Sequence, residues 1–365
     1  MINNRNTGPT TLPSIVLTAM AQQPLSHRSK EFREAFTDVT AQLAKLVNSH
    51  EPALLLSCSG TGGLEASIAS IVCNQSRVLV LTAGNYGDLL ARIAGRFTEN
   101  LKIVRFNPGE GFDPAELQTH LMQASYDVAL LTHSESSTGV YHPIAAVIKA
   151  IHAYSDALVL VDTISSLGAT HIDMSTWGAD VLVGATQKGL MAPAGMAVIY
   201  LSIRAQRYIE QRPFGRDYMH LRPWLEASRQ HSVPYTPAVN VFQGLQAAMA
   251  LIFDEGLLER YRRHQEASSR CRSFFANSNL VRCFAQPQYA SHSITALYLS
   301  PELSASKIKK RLEDEKKMMV STGLSPLTER IIRIGHMGHF TLTEIDNALE
   351  AIVQVLEKEK RAYGY

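Results

Sequence analysis

Cysteine is scarce in this sequence, and neither its cysteines nor its histidines have the spacing of a metal site. The four cysteines among 365 residues are Cys58, Cys73, Cys271 and Cys283, and no two of them form a CxxC pair. The 13 histidines include no HExxH pair. These absences argue against a disulfide framework and a metal centre. The simplest interpretation is a reduced, cytoplasmic protein.

An excess of charge of one sign is also missing. Lysine and arginine number 35 and aspartate and glutamate 33, so the formal net charge is +2. The basic run between residues 307 and 317 is typical of a solvated helix face, and no clustered basic field indicates a nucleic-acid partner. Residues 1–13 are polar and no apolar stretch is long enough to cross a bilayer. Neither a signal peptide nor a membrane partner is therefore expected.

What the sequence does have is a regular alternation of short apolar runs with amphipathic segments. Runs with the length and composition of buried strands include ALLLS at 53–57, VLVLT at 78–82, VALLT at 128–132, ALVLV at 157–161, VLV at 181–183 and MAVIYL at 196–201. Continuous apolar strands separated by helices predict an α/β fold with a mainly parallel sheet, covered by helices on both faces.

The pattern changes after Asp254. A long charged helix is predicted at 257–276, followed by strands at 293–299 and 331–334 and helices at 304–315 and 341–359. A small sheet flanked by helices is typical of a separate α+β domain. The sequence therefore predicts an N-terminal arm (1–16), a large domain (17–254) and a smaller C-terminal domain (255–365).

Ligands of parallel sheets bind beyond the carboxyl ends of the strands, and a lysine lies at such a position. Lys188 is in the loop GATQKGL (184–190), which joins two predicted strands. A lone lysine in such a loop is more often a surface lysine. Small neighbours, however, let the chain approach a ligand closely, and a partly deprotonated amine there could form an imine with an aldehyde.

Two further segments carry possible chemistry. Asp162 ends an apolar run, where a carboxylate is costly to bury alone. It is either a turn or cap residue or the partner of a protonated ring nitrogen, which would make that ring an electron sink. The segment SGTGG (59–63) precedes a predicted helix, and its amides and hydroxyls suit an anion. A tight turn with a Ser or Thr helix cap explains that segment equally well.

Seven segments resemble the class V aminotransferases of pyridoxal-phosphate (PLP) fold type I, and most closely the alanine–glyoxylate and serine–glyoxylate aminotransferase group. They are SGTGGLEA (59–66), GNYGD (84–88), THSESSTGV (132–140), VDTISSLGA (161–169), GATQKGLMAPAG (184–195), YTP (235–237) and RIGHMG (333–338). Each segment is only modestly specific, but all seven occur in the order of the family. The resemblance covers nearly the whole chain and implies the fold of that family, with a large domain and a smaller α+β domain.

The resemblance also implies a role for each matching residue. Lys188 would carry PLP as a Schiff base, and Asp162 would hold the pyridine nitrogen. The other implied cofactor contacts are Ser59, Gly60, Thr61 and Gln187 at the phosphate, Tyr86 and Ile164 on the two ring faces, Ser136 at the phenolic oxygen, and Thr236 with Tyr235 from the second subunit of a homodimer.

Substrate contacts are implied at three positions. Arg333 matches the arginine that clamps the substrate carboxylate, and a guanidinium meets a carboxylate as a fork of two hydrogen bonds. Its neighbours are isoleucines, which favours a buried over a surface arginine. His27 and Arg28 match the substrate entrance of the family, although an exposed turn would explain them equally well.

The activity implied by the resemblance is a ping-pong transamination. A small amino acid (alanine or serine) would give its amino group to a small 2-oxo acid (glyoxylate or pyruvate), in a homodimer with shared active sites. The alternatives are transamination of 2-aminoethylphosphonate, a cysteine desulfurase or lyase reaction and, least favoured, PLP binding without catalysis. Desulfurases typically have histidine where this chain has Gln187, together with a loop cysteine that Cys283 does not obviously match. A non-enzymatic protein would more plausibly lack Lys188 or Arg333.

Overall fold

The chain folds around two main β-sheets in a computed structural model that describes residues 2–213 and 217–362. Met1 and residues 363–365, the outer ends of the predicted arm and C-terminal domain, lie outside the described residues. The strands are β1 (Asn3–Arg5), β2 (Leu54–Leu56), β3 (Val78–Thr82), β4 (Leu101–Arg105), β5 (Val128–Thr132), β6 (Ser134–Glu135), β7 (Val140–Tyr141), β8 (Leu158–Asp162), β9 (Val181–Ala185), β10 (Ala197–Leu201), β11 (Val281–Cys283), β12 (Ile294–Leu299), β13 (Met318–Thr322) and β14 (Ile331–Gly335). The helices are α1 (Ser14–Met20), α2 (Lys30–Lys45), α3 (Gly60–Ile71), α4 (Asn85–Ala94), α5 (Pro114–Leu121), α6 (Ile144–His152), α7 (Met174–Trp177), α8 (Ile203–Glu210), α9 (Leu221–Ser228), α10 (Val239–Glu255), α11 (Leu257–Phe275), α12 (Ala305–Lys316) and α13 (Leu342–Ala362).

The larger sheet confirms the predicted α/β architecture. Its strand order is β2-β10-β9-β8-β5-β3-β4, and within the described part of the chain only β10 runs antiparallel to its neighbours. Alternate residues of each strand enter different cores. In β5, Ala129 and Leu131 pack towards α2, α6 and α10, whereas Val128 and Leu130 pack towards α3 and α4. The strands are continuously apolar because both faces are buried.

The smaller sheet has the order β1-β13-β14-β12-β11, and α11, α12 and α13 pack against it around Leu297, Ile332 and Ile352. The first strand comes from the predicted N-terminal arm, because residues 3–5 pair in parallel with β13. The predicted domain boundary after Asp254 falls at the end of α10, just before α11 begins, and remains a prediction.

Helices α10 and α11 meet at Gly256 with a bend of 88°. Along α10, Phe242, Leu245 and Met249 are buried in the core that covers the larger sheet. Among the described helices no single one is long and apolar enough to cross a membrane. By length and composition alone, α10 and α11 pass such a test when they are counted together.

Candidate active site

Parallel strands bring the predicted functional residues to one edge of the larger sheet. Asp162 is the last residue of β8, and it lies between Thr132 at the end of β5 and Val183 in β9. Lys188 follows β9 by three residues, and Tyr86 follows β3 in the first turn of α4. A cavity of about 210 Å³ opens there, and its lining includes the predicted residues Ser59, Gly60, Thr61, Tyr86, Ile164, Gln187 and Lys188.

A larger cavity than the one at Lys188 lies elsewhere in the molecule. A groove of about 830 Å³ lies near the amino ends of the same strands and is lined by Arg204, Arg207 and Tyr208. It contains none of the predicted site residues. Ligands of parallel sheets bind at the carboxyl ends of the strands, so the smaller cavity around Lys188 is the candidate site.

The Lys188 amine is held in a polar contact and is largely shielded from water. Its Nζ donates a hydrogen bond to the carbonyl oxygen of Thr7. Burial and, to a smaller extent, the charge of Arg333 lower the pKa of Lys188 to about 8, against the opposite effect of Asp162. With a pKa of about 8, roughly one amine in ten is neutral at pH 7, which a base or a nucleophile requires.

Asp162 is a buried carboxyl at the floor of the site. It is 4% exposed and accepts a hydrogen bond of 2.8 Å from the backbone N–H of Ile164. Burial raises the pKa of Asp162 to about 7, and the charge of Glu135 contributes to the rise. A cationic N–H donor would stabilise this carboxylate.

The start of α3, beside Ser59, borders the cavity. The Ser59 hydroxyl caps the helix by accepting a hydrogen bond of 3.1 Å from the N–H of Gly62. Gly60 packs tightly, since a Cβ at this position would lie 2.6 Å from Cδ1 of Ile164. The close packing explains why the helix begins with glycine where the chain passes Ile164. Ser59, Gly60 and the exposed Thr61 line the cavity, and the first amides of a helix suit an anion.

In the part of the chain that is described, two buried polar atoms of predicted site residues lack hydrogen-bond partners. They are Oγ of Ser136 and Oε1 of Gln187. A buried hydroxyl or amide oxygen without a partner costs stability. Gln187 lines the cavity directly, and Ser136 follows Glu135 at the same edge of the sheet. Both atoms are therefore suited to contact a polar ligand.

Arg333 extends from the smaller sheet towards the same site. It is buried in β14, where Nε donates to the Thr322 carbonyl at 2.8 Å and Nη1 donates to the Ser136 carbonyl at 2.9 Å. Burial lowers the pKa of Arg333, while the Tyr86 hydroxyl and Glu135 favour its charged form. Two of its five N–H groups are thus used to orient the guanidinium. The others remain to interact with Tyr86 and with a carboxylate.

The N-terminal segment contributes to the site in a way that the sequence did not indicate. Residues 7–10, here called the strap, cross the lysine loop. Thr10 N–H donates to the Gln187 carbonyl at 3.1 Å, and its hydroxyl donates to the Lys188 carbonyl at 3.2 Å. Gly8 has φ +113°, and a Cβ there would lie 2.5 Å from Cδ of Lys188. The sequence predicted an arm here, but not what the arm contacts.

Glu135 was also missed. It is fully buried, and its carboxylate accepts hydrogen bonds from the backbone N–H groups of Tyr86 and Ser137. Its only signal in the sequence was its place inside THSESSTGV. An acidic residue within a run of small polar residues looks like part of an exposed loop, and only the fold shows that it is enclosed.

Besides Asp162, Ser136 and Arg333, four predicted residues are absent from the lining of the cavity of their own chain. Tyr235 stacks on Tyr218 with ring centroids 5.3 Å apart, and Thr236 is exposed. His27 is half-buried and Arg28 exposed in the turn that precedes α2. Their predicted roles at the site therefore remain predictions.

Known proteins resemble this chain over nearly its whole length. Residues 2–347 match the family named Aminotransferase class-V. A serine–glyoxylate aminotransferase from Methylorubrum extorquens is 31% identical over 91% of this chain and 85% of the relative. A soluble hydrogenase small subunit from Synechococcus sp. is also 31% identical, over 96% of this chain and 91% of the relative. The solved structure of an alanine–glyoxylate aminotransferase from Nostoc sp. is 26% identical and superposes with a TM-score of 0.92, covering 97% of this chain and 95% of that chain.

Proposed function

This chain belongs to the class-V aminotransferases, and on that basis we propose that it transfers the amino group of alanine or serine to glyoxylate or pyruvate with PLP as cofactor. One observation carries the proposal. Lys188 follows β9 and Asp162 ends the neighbouring β8, while Arg333 extends from β14 to the Ser136 carbonyl at the same place. A lysine, a carboxylate and a guanidinium in one place fit an aminotransferase. We therefore base the proposal on the relatives that are named aminotransferases and not on the one named a hydrogenase subunit.

The residues around the cavity fit PLP. The start of α3, with Ser59 and Thr61, would hold the phosphate, and Gln187, which lines the cavity, could donate to it through its amide NH₂ group. The unpartnered Oγ of Ser136 is available for the phenolic oxygen. Asp162 would hold the ring nitrogen as a buried ion pair, which offsets the cost of its burial.

Lys188 would carry out the proton transfer. When bound, PLP supplies the electron sink that makes the α-proton of an amino acid acidic. Nζ of Lys188, with its lowered pKa, would take this proton and return it to a different carbon atom. The reaction runs as two half-reactions: the first releases a 2-oxo acid, and the second converts another 2-oxo acid into an amino acid.

Arg333 would bind the substrate carboxylate in both half-reactions. The carbonyls of Thr322 and Ser136 fix the guanidinium, so little side-chain freedom is lost when a carboxylate binds. Since every amino acid and 2-oxo acid in the scheme carries this carboxylate, one arginine serves both.

Arg333→Lys is expected to raise KM for the amino acid and for the 2-oxo acid by about tenfold to a hundredfold, because lysine keeps the charge but loses the two-bond fork. Steady-state kinetics with each substrate varied in turn would measure the change. Arg330→Lys is the matched control, since Arg330 donates to the carbonyls of Leu299 and Ser300 and not to Ser136. An unchanged KM in Arg333→Lys would remove the carboxylate clamp from the proposal.

We also propose a homodimer in which Thr236, and Tyr235 beside it, complete the phosphate site of the other subunit. Thr236 is exposed and does not line the cavity of its own chain. Ser59 and Thr61, which would hold the phosphate, are also exposed in the single chain. A second subunit could cover both surfaces at once. His27 and Arg28, in their exposed turn, are proposed at the entrance of the site.

Mixed dimers would test this arrangement. When Lys188→Ala chains are combined with Thr236→Ala chains, one site of each mixed dimer has both defects and the other has neither. Activity is therefore expected to exceed that of either parent variant, measured on mixed dimers isolated with two different affinity tags. If isolated mixed dimers show no such recovery, Thr236 does not act in the neighbouring subunit.

A substrate screen tests the proposed function itself. Purified protein with PLP would be given alanine, serine, cysteine or 2-aminoethylphosphonate as donor and glyoxylate or pyruvate as acceptor. We expect new 2-oxo acid and new amino acid in equal amounts with alanine or serine. Sulfide release from cysteine, or transfer from the phosphonate alone, would replace the proposal by one of those reactions.

The cysteines favour transamination over desulfuration. Cys283 lies in β11 of the smaller sheet, and no cysteine is among the described residues that line the cavity. A desulfurase needs a thiol that reaches the cofactor. All four cysteines are free, which supports a reducing compartment such as the cytoplasm.

A further inference from the structure

Glu135 is a buried carboxyl to which the proposed reaction gives no role. It is 0% exposed and ends β6, directly after the strand β5 that leads to the site. Burial raises the pKa of Glu135. Burying a carboxylate is costly unless hydrogen bonds compensate for the lost water, so its contacts indicate what it stabilises.

Both carboxyl oxygens of Glu135 accept hydrogen bonds. Oε2 accepts from the backbone N–H groups of Tyr86 and Gly87, at 3.0 and 3.1 Å. Oε1 accepts from the N–H and the hydroxyl of Ser137, at 3.1 and 2.5 Å. Because a backbone N–H can only donate, this arrangement suits the ionised carboxylate, which can only accept.

These contacts replace the missing cap of α4. The N-cap residue is Gly84, which has no side chain to accept from the first amides. The amides of Tyr86 and Gly87 are satisfied by Glu135 instead, and that of Asn85 by the hydroxyl of Ser137 at 3.2 Å. A Cβ on Gly84 would lie 2.6 Å from this hydroxyl. The Glu135 carboxylate of β6 therefore holds Tyr86 at the start of α4.

The same turn also fixes Arg333. Nη1 of Arg333 donates to the carbonyl of Ser136, the residue after Glu135. The charge of Glu135 and the Tyr86 hydroxyl both raise the pKa of Arg333, against the effect of burial. Glu135 thus contacts or neighbours two groups of the site, Tyr86 on α4 and Arg333 on β14.

We propose that Glu135 is a positioning residue, which holds Tyr86 against the cofactor site and Arg333 beside it through the first turn of α4 and the turn that follows β6. The roles of Tyr86 and Arg333 rest on the proposed function, but the hydrogen bonds to α4 do not. Removal of the Glu135 charge should therefore affect cofactor and substrate binding, and not only stability.

A second buried carboxylate provides a matched control. Asp180 is also buried and accepts from the backbone N–H of Val159 at 2.9 Å, from the Ser202 hydroxyl at 2.8 Å and from Arg204. It lies just before β9, at the end of the sheet opposite to Lys188. Asp180→Asn removes a buried charge from the same sheet without touching the site.

The experiment compares Glu135→Gln with Asp180→Asn in the full-length protein. Glutamine has the size of glutamate, but its NH₂ group cannot accept a hydrogen bond. It would therefore face backbone N–H groups that donate to a carboxylate oxygen in the wild type. In the cofactor-free protein, amide hydrogen exchange at residues 85–87 is expected to accelerate by about tenfold or more in Glu135→Gln only. The PLP dissociation constant and KM for both substrates should rise by a similar factor, with a smaller change in kcat.

The proposal is overturned if Glu135→Gln lowers only the unfolding midpoint, as Asp180→Asn would. If Glu135→Gln does not fold, Ser137→Ala takes its place, because it deletes only the hydroxyl that contacts Glu135 and Asn85. Smaller increases in amide exchange, in the PLP dissociation constant and in KM are then expected. The absence of these increases overturns the proposal. Wild-type protein that binds PLP but transfers no amino group would contradict the proposed function, while the exchange and PLP measurements would still decide the role of Glu135.

Discussion

Lys188→Ala is expected to abolish turnover, with a loss of at least about 10⁴-fold, or roughly 5.5 kcal/mol in the activation barrier. The reason is that one amine has two tasks. It attaches the cofactor covalently, and it moves the substrate's α-proton. Alanine provides neither a nucleophile nor a base, and the cavity residues named above include no second lysine that could take over.

Borohydride reduction checks the assignment independently of turnover. It converts a carbon–nitrogen double bond into a stable single bond, so mass spectrometry of the reduced wild-type protein should find the cofactor on the peptide that contains Lys188. Lys310→Ala is the control, because Lys310 is exposed and paired with Asp314. Cofactor fixed to another lysine in reduced Lys188→Ala would show that the attachment site was wrongly assigned.

Asp162→Asn is expected to lower kcat by about 10³-fold or more, which corresponds to roughly 4 kcal/mol. An amide cannot stabilise a protonated ring nitrogen, so the electron sink fails. The fold should tolerate the change, because the asparagine oxygen can still accept from the N–H of Ile164, 2.8 Å away in the wild type. Single-turnover absorbance and steady-state kinetics would both report the loss. Near-normal turnover in Asp162→Asn would remove this residue from the mechanism.

The stability of the cofactor-free protein provides the control for Asp162→Asn, and its sign follows from the raised pKa. A carboxyl whose pKa rises from 3.8 to about 7 on folding binds its proton more tightly in the folded state. Its contribution to stability is therefore lost as the pH rises from about 4 to about 7. Asparagine does not titrate. The difference in unfolding free energy between variant and wild type should grow in favour of the variant across this range and stay constant above it.

The larger sheet was predictable because both its faces are buried. VALLT coincides with β5 residue for residue, and the rule that ligands lie at carboxyl ends placed Asp162 and Lys188 at the same edge. Helix α10 was not predicted, because its buried residues Phe242, Leu245 and Ile252 are interspersed with half-buried apolar ones and leave no clear polar face. Without that contrast, helical periodicity is weak.

The remaining gaps in the predicted site concern contacts between residues distant in sequence. Thr7 and Lys188 are 181 residues apart along the chain, and no local pattern indicates that they meet. Glu135 contacts residues of α4 that are 48 or more positions away along the chain. Motif resemblance named Ser136 and Tyr86 on either side of this contact, but the carboxylate that links them requires the fold. The proposed roles of Thr236 and Arg28 depend on a second chain, which one sequence does not describe.

The strap has a consequence for how the protein is made. The Thr7 N–H donates to the hydroxyl of Ser321, 314 residues further along the chain, and β1 has no strand partner among the described residues other than β13. At roughly 5–20 residues per second, a ribosome needs about 15 to 60 seconds between these two points. During this time β1 has no strand to pair with, although the strands around Asp162 can already form. Residues 3–5 are synthesised early, yet they form one of the last strands to reach its place.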